Sequence, residues 1–123
     1  MIASASNPVV LIVEDEAIIL MGAAALVEDL GCEFFEASSA DEAIALLKKH
    51  QQITTVFTDI QMAGSMDGLE LVAYAYRNWP PLKFIIVSGN HVPTAIEMPE
   101  GARFFMKPYD ATTIGEAIRA TLQ

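Results

Sequence analysis

Apolar and polar positions along the chain define two alternating kinds of segment. Short runs rich in β-branched and aromatic residues predict strands, and longer stretches with apolar residues every three or four positions predict helices. Five strands are predicted, at residues 9–13, 32–37, 53–58, 82–88 and 103–106. Four helices are predicted, at residues 17–30, 40–49, 69–79 and 111–122. This alternation predicts a (βα)5 arrangement, in which a parallel sheet carries helices on both faces.

The segment between the fourth and fifth strands departs from that alternation. Residues 89–101 contain Pro93 and Pro99 and leave room for one helical turn at most, around residues 94–98. Since proline interrupts helices, we expect the fourth helix to be short, distorted or absent. Gly89 and Asn90, together with the poor helical periodicity, also predict mobility here.

The first helix is predicted from the apolar residues that recur along it. Ile18, Met21, Ala25 and Val27 recur at helical spacing, which predicts a helix over residues 17–30. Gly31 follows the helix and is a typical left-handed cap.

The length and composition favour one folded domain. The chain has 123 residues, of which 53% are hydrophobic, so it is long enough for a core and too apolar for disorder. We expect a single domain over residues 1–123, with residues 1–8 as a frayed lead-in. Residues 17–27 form the longest apolar stretch, about half the ~20 residues that cross a bilayer. No membrane attachment is expected.

Charge and cysteine content narrow the function classes further. The formal net charge is −9 and the seven basic residues are scattered, which argues against direct nucleic-acid binding. The single cysteine, Cys32, has no partner for an internal disulfide, which fits a reducing compartment. No basic segment precedes an apolar run near Met1, so a secretion signal is not expected. These features predict a cytoplasmic protein.

Polar side chains of complementary kind close the predicted strands. Glu14 and Asp15 follow the first strand, Asp59 the third, Ser88 ends the fourth, and Lys107 follows the fifth. Ligands of parallel α/β sheets bind at the carboxyl ends of the strands, near the switch in strand order. Three acids held together there repel one another unless a cation or a proton intervenes. The sequence therefore predicts a cation site at this edge.

Four motifs resemble the receiver domain of bacterial two-component response regulators. They are Leu11-Ile12-Val13-Glu14-Asp15-Glu16; Asp59-Ile60-Gln61-Met62 with Met66-Asp67-Gly68-Leu69-Glu70-Leu71; Val87-Ser88-Gly89; and Phe105-Met106-Lys107-Pro108-Tyr109. They lie in order over nearly the whole chain, at nearly the family's spacing. The resemblance implies a flavodoxin-like sheet with strand order 2-1-3-4-5.

The resemblance implies that Asp59 is the phosphoacceptor, a carboxylate nucleophile that takes a phosphoryl group from phosphohistidine. It also implies a Mg²⁺ (or Mn²⁺) site formed by Asp15, Asp59 and the backbone carbonyl of Gln61. Glu14 stands where the family often has Asp, and its longer side chain suggests contact with the metal through water. Gln61 and Asn90 are expected to flank the phosphate and to tune water access.

Three further residues match family positions nearer the end of the chain. Lys107 corresponds to the lysine that stabilises charge on the phosphoryl oxygens and that pairs with the phosphoacceptor at rest. The family suggests a cis bond between Lys107 and Pro108, which the sequence alone leaves open. Ser88 takes the position of the Thr or Ser switch, and Phe104 that of the aromatic rotamer switch, although it has no hydroxyl.

Two regions depart from the family pattern. The loop after Asp59 lacks the usual proline and is longer than usual, and Gly64 can absorb the added length because it tolerates positive φ. The segment between Ser88 and Lys107 is shorter than in most receivers. That segment normally builds the output and dimer face, so the usual output surface is in doubt.

The function implied is that of a single-domain response regulator without an output domain. Its partners would be a histidine kinase or phosphotransfer protein and an unknown downstream target, and it would be a monomer or weak homodimer. It would be a phosphoacceptor, not an enzyme in the usual sense, with weak self-catalysed phosphorylation and autodephosphorylation. The alternatives are a phosphate sink and the receiver part of a hybrid kinase or larger regulator. A small aspartyl-phosphate phosphohydrolase is a weaker alternative, because Gln61 stands where that family needs a second Asp.

Overall fold

The computed structural model describes residues 7–122 and contains one five-stranded parallel sheet. The strand order is β2-β1-β3-β4-β5, as predicted. The strands are β1 Val9–Val13, β2 Glu33–Ala37, β3 Thr55–Asp59, β4 Lys83–Ser88 and β5 Arg103–Met106. The interior strands β3 and β4 consist mostly of buried residues, because helices cover both faces of the sheet there.

The helices are α1 Ala17–Asp29, α2 Ala40–Lys49, α3 Gly68–Asn78 and α4 Ala111–Ala120. Two separate apolar clusters form the core, one on each face of the sheet. Helices α2 and α3 pack on one face, where they contribute Ala43, Leu47 and Leu71. Helices α1 and α4 pack on the other, where they contribute Val27 and Ile114. The doubly wound architecture predicted from the sequence is therefore confirmed.

The segment between β4 and β5 contains only a short 3-10 turn, Ala95–Glu97. Thr94 caps this turn, and none of its three residues is buried. Ile96 is 97% exposed and Val92 is also exposed. The prediction of one helical turn at most in this segment is confirmed.

The buried face of α1 does not coincide with the apolar residues whose spacing predicts the helix. Ile18 and Met21 are 83% and 69% exposed, while Ala23, Ala24 and Val27 face the core. Of the four residues whose spacing predicted this helix, only Val27 is buried, because α1 is apolar around most of its circumference. Spacing alone does not decide which of two apolar faces is buried. The face that packs on the sheet is the one with the small residues Ala23 and Ala24.

The start of the described chain is attached to the fold. The Asn7 amide donates to the carbonyl of Gly31 at 3.1 Å, and Pro8 is buried. Gly31 has φ +80°, so it is the left-handed cap that the sequence predicts after α1. The rest of the predicted lead-in, residues 1–6, lies outside the described residues. None of the helices within residues 7–122 combines the length and the apolar character that crossing a bilayer requires.

Candidate functional site

The parallel pairing brings the polar strand ends to one edge of the sheet. Glu14 directly follows β1, Asp59 ends β3, Ser88 ends β4 and Lys107 directly follows β5. Backbone bonds continue the ladder beyond the strands, since Lys107 N donates to the carbonyl of Ser88 at 2.8 Å and Ile60 N to that of Val87 at 3.0 Å. This edge, called here the carboxyl edge, holds the candidate site.

A buried ionic cluster occupies the centre of the carboxyl edge. Lys107 Nζ lies 2.9 Å from Asp59 Oδ2 and 3.3 Å from Glu14 Oε1. Glu14 and Asp59 are only 4% and 5% exposed. Buried charges are tolerated when they are paired and hydrogen-bonded. One ammonium faces two carboxylates here, so two ionised acids would leave an excess negative charge at the site.

The pKa values of the cluster follow from this arrangement. Burial raises the pKa of Glu14, and the charge of Asp59 adds to this, while the Glu16 backbone N–H and Lys107 oppose it. Burial alone would lower the pKa of Lys107, but its hydrogen bond to Asp59 and the two carboxylate charges outweigh that and raise it. Lys107 is therefore held as a cation.

The second carboxylate oxygen of Asp59 has no hydrogen-bond partner within the described part of the chain. Oδ1 is buried, whereas Oδ2 accepts from Lys107. A buried carboxylate oxygen without a partner is costly and uncommon. Such an atom is suited to bind a cation or to attack an electrophile.

Asp15 makes a different contact from the other two acids. It is exposed, and its Oδ2 accepts from the backbone N–H of Ala63 at 2.9 Å. It borders a cleft of about 490 Å³ whose other lining residues come mostly from the loop after β3. Across residues 7–122, no three acidic, histidine or cysteine side chains are grouped as ready metal ligands. Of the three acids predicted to gather at this edge, Glu14 and Asp59 both contact Lys107.

The donors around the carboxyl edge nevertheless fit a hard divalent cation. The unpartnered oxygen of Asp59, the exposed carboxylate of Asp15 and the backbone of the following loop are all oxygen donors. Magnesium prefers such donors and needs only one or two carboxylates, since it keeps several waters.

Ser88 is fully buried, and its hydroxyl takes part in three hydrogen bonds. Its Oγ–H donates to Gln61 Oε1 at 2.7 Å. The same Oγ accepts the backbone N–H groups of Asn90 at 3.3 Å and His91 at 3.0 Å. Ser88 thus connects the loop after β3 to the segment after β4.

The remaining predicted position, Phe104, is half-buried and packs with the apolar cluster on the α2 and α3 face. The peptide bond between Lys107 and Pro108 is cis, as the family resemblance suggested. Tyr109, to which the sequence assigned no role, packs edge-on against Phe57 with ring centroids 5.8 Å apart. Burial is the main cause that raises the pKa of Tyr109.

Gly68 is a site residue that the sequence reasoning missed. A β-carbon at this position would overlap with the backbone carbonyl of Asp59. Its N–H donates to the carbonyl of Ile60 at 2.8 Å, which holds the start of α3 against the end of β3. The signal was the placement of glycine directly after Asp67, the residue that caps α3.

The chain matches known proteins over most of its length. Residues 10–119 match the family model described as the response regulator receiver domain. The chain is 30% identical over 118 residues to the sensor kinase CckA of Brucella abortus, which covers 93% of this chain and 12% of that protein. It is 35% identical over 106 residues to the nitrogen assimilation regulatory protein NtrX of Azorhizobium caulinodans, which covers 83% of this chain and 23% of that protein. The chain spans less than half the length of these curated relatives.

Solved structures agree with the sequence relatives. The receiver domain of NtrX from Brucella abortus superposes with a TM-score of 0.82 at 32% identity, covering 92% of this chain and 97% of that one. A response regulator receiver domain protein from Clostridium thermocellum superposes with a TM-score of 0.86 at 27% identity, covering 94% of both chains.

Proposed function

The chain belongs to the response regulator receiver domain family of two-component systems, and we propose that it accepts a phosphoryl group on the carboxylate of Asp59. One observation carries this proposal. Asp59 is buried at the carboxyl edge with one oxygen paired to Lys107, while the other, Oδ1, has no hydrogen-bond partner among residues 7–122. The carboxylate is thus oriented by one oxygen while the other is available as a nucleophile.

The transfer is a substitution at phosphorus. A lone pair of Asp59 Oδ1 forms the new O–P bond, and the P–N bond of the donor phosphohistidine breaks, with its electron pair returning to the imidazole nitrogen. Lys107 stays protonated and stabilises the charge on the phosphoryl oxygens. Phosphoryl transfer is catalysed mainly by stabilising this charge. Glu14 holds Lys107 in place when Asp59 is occupied, because the ammonium already contacts both acids.

A Mg²⁺ or Mn²⁺ ion would be held by Asp15, Asp59 and the backbone carbonyl of Gln61, with Glu14 reaching it through water. When bound, such an ion supplies positive charge to the phosphoryl oxygens. The unpartnered Asp59 Oδ1 and the exposed carboxylate of Asp15 support this assignment.

The phosphoryl donor would be a histidine kinase or a phosphotransfer protein, and the outer stripe of α1 is the surface proposed to bind it. This stripe consists of Ile18, Met21, Gly22 and Ala25, all exposed. It begins three positions after Asp15, beside the carboxyl edge. A protein that brings a phosphohistidine to Asp59 must cover the elements next to that edge. Exposed apolar residues there would be buried in such a complex. A downstream target and a monomeric or weakly dimeric state stay predictions from the family.

The phosphoacceptor is tested by incubating the protein with Mg²⁺ and acetyl phosphate and measuring its intact mass. We expect wild type to gain one phosphoryl group by self-catalysed transfer, and we expect the gain to be lost in Asp59→Asn and in the presence of EDTA. Asp41→Asn, which removes an exposed carboxylate on α2, is the matched control and should be labelled like wild type. An equal gain in Asp59→Asn would move the acceptor to another residue.

The donor surface is tested with a kinase selected by screening autophosphorylated histidine kinases for transfer to wild type. Ile18→Ser should slow that transfer about tenfold, the effect of one interface anchor, and leave labelling by acetyl phosphate unchanged. Leu122→Ser alters another exposed apolar residue, located after α4, and should change neither rate. If Ile18→Ser and Leu122→Ser behave alike, the stripe does not bind the donor.

A further inference from the structure

The hydroxyl of Ser88 has no spare hydrogen-bonding capacity. A serine hydroxyl offers one donor and two acceptor lone pairs. The two N–H groups of Asn90 and His91 occupy the oxygen, so the proton is left to point at Gln61 Oε1, 2.7 Å away. Because Ser88 is fully buried, no water replaces a lost partner without some opening of the site.

Gln61 reaches Ser88 because of the sheet register. Asp59 pairs with Val87 across β3 and β4, and Ile60 N extends the ladder to the carbonyl of Val87. Gln61 follows Ile60 and Ser88 follows Val87, so these two residues come next after the last backbone hydrogen bond between the strands. The side chain of Gln61 therefore lies beside the hydroxyl of Ser88, which takes the position of the Thr or Ser switch in the receiver family.

We propose that Gln61 is a positioning residue that latches the Ser88 hydroxyl in its resting orientation, and that phosphorylation of Asp59 breaks this latch. The inference rests on the proposed function, since a phosphoryl oxygen on Asp59 competes with Gln61 Oε1 for the one proton of Ser88. A hydroxyl donates to one acceptor at a time, so gain of the phosphoryl contact means loss of the Gln61 contact.

The latch also controls the segment after β4. When the Ser88 hydroxyl turns from Gln61 towards Asp59, its lone pairs turn as well, and the N–H groups of Asn90 and His91 lose their acceptor. The 3-10 turn in the same segment has no buried residue, so little packing opposes the movement of this part of the chain. Gln61 thereby sets the fraction of unphosphorylated molecules in which this segment is already displaced.

The experiment measures amide hydrogen exchange of Asn90 and His91 by NMR in the unphosphorylated protein without metal. Gln61→Leu removes the acceptor and should speed exchange at both amides about fivefold, the factor for one lost neutral hydrogen bond. Gln61→Glu keeps an acceptor of the same length and should restore exchange to the wild-type rate or slower. Gln61 is exposed overall, so both variants should fold, and an unchanged urea midpoint is the check.

A double-mutant cycle separates the latch from a general loosening of the loop. Ser88→Ala should speed exchange at the same two amides, and Gln61→Leu should add nothing in that background, because Gln61 acts only through the hydroxyl. Additive effects, or no effect of Gln61→Leu in wild type, would overturn the proposal.

A last comparison distinguishes failure of the latch from failure of the proposed function. With Mg²⁺ and acetyl phosphate, the amide signals of Asn90 and His91 should shift in wild type, and they should shift by less than half as much in Gln61→Leu. A mass gain without any shift of these signals overturns the latch and leaves the phosphoacceptor intact. The absence of a mass gain overturns the phosphoacceptor, while the exchange data on the unphosphorylated protein still decide whether Gln61 holds Ser88.

Discussion

Two loops leave the carboxyl edge from neighbouring strands and lead to very different structures. The loop after β3 reaches Asp67, which forms a capping box with Glu70 and begins the 11-residue helix α3. The loop after β4 reaches Thr94, which forms the same capping box with Glu97 and begins only a three-residue turn. Two equal local signals thus gave a full helix in one region and almost none in the other.

Burial after the cap explains the difference. Leu71, Val72 and Ala75 of α3 are fully buried against the sheet. Ile96, in the turn, is almost fully exposed, and Pro99 follows within a few residues. A cap lowers the cost of starting a helix, but apolar contacts and the absence of proline decide whether it continues.

The two regions hold the site in different ways. The start of α3 packs so closely on β3 that Gly68 has no room for a β-carbon beside the Asp59 carbonyl, which fixes the proposed phosphoacceptor. Asn90 and His91 are instead tied to the edge through their N–H bonds to one hydroxyl, that of Ser88. A fixed acceptor beside a lightly held segment suits a protein that reports a covalent change by moving part of its chain.

The largest expected effect is that of Gly68→Ala. The new methyl group would meet backbone rather than a flexible side chain, so the free energy of unfolding should fall by about 3 kcal/mol. Gly22→Ala in α1 is the matched control, because no atom of the described residues lies within 4 Å of a β-carbon added there, and it should raise the free energy by about 0.5–1 kcal/mol. Urea unfolding measures both. A loss below 1 kcal/mol for Gly68→Ala would mean that the start of α3 is not fixed against Asp59.

The two capping boxes give the next effect. Asp67→Ala should lower the free energy of unfolding by about 1 kcal/mol, since α3 is part of the core. Thr94→Ala should change it by less than about 0.5 kcal/mol and should speed amide exchange at Glu97 alone. Equal losses in the two variants would contradict the division into a packed and a lightly held region.

The smallest effects concern two glutamates whose pKa values shift in opposite directions. Burial raises the pKa of Glu14 above its ordinary value of 4.5, so the folded state binds more protons and stability falls as pH rises above 4.5. The Thr94 backbone N–H lowers the pKa of Glu97, so its contribution is present above 4.5 and is lost as pH falls through the folded value.

Urea unfolding over a series of pH values tests these signs. Glu14→Gln should remove part of the decline in stability above pH 4.5, while Glu97→Gln should remove a small loss on the acid side. Glu14→Gln with an unaltered pH dependence would mean that the acid is not held in a buried ionic cluster.

Much of this arrangement follows from sequence pattern. The strand ends predicted Glu14, Asp59, Ser88 and Lys107 at one edge because parallel pairing puts every carboxyl end on the same side of the sheet. The prolines after β4 predicted the missing helix for an equally simple reason, the loss of a backbone donor and a steric clash.

Other features depended on contacts that the pattern does not contain. Both faces of α1 are apolar, so only the shape of the sheet decides that Ala23 and Ala24 turn inward and Ile18 outward. The hydrogen-bond partners of the acids are another such feature, since Asp15 accepts from the Ala63 N–H while Glu14 and Asp59 accept from Lys107. The hydrogen bond between Ser88 and Gln61 likewise depends on the side-chain rotamers of both residues, which the sequence pattern does not contain.

The most direct test of the central claim is chemical mapping of the phosphorylated residue. The protein is treated with Mg²⁺ and acetyl phosphate and then with borohydride, which reduces an acyl phosphate to an alcohol, and its peptides are sequenced by tandem mass spectrometry. We predict homoserine in place of aspartate at position 59 and unmodified acids at positions 14 and 15. Reduction at Asp15 or at any other acid, with Asp59 intact, would contradict the assignment of Asp59 as the phosphoacceptor.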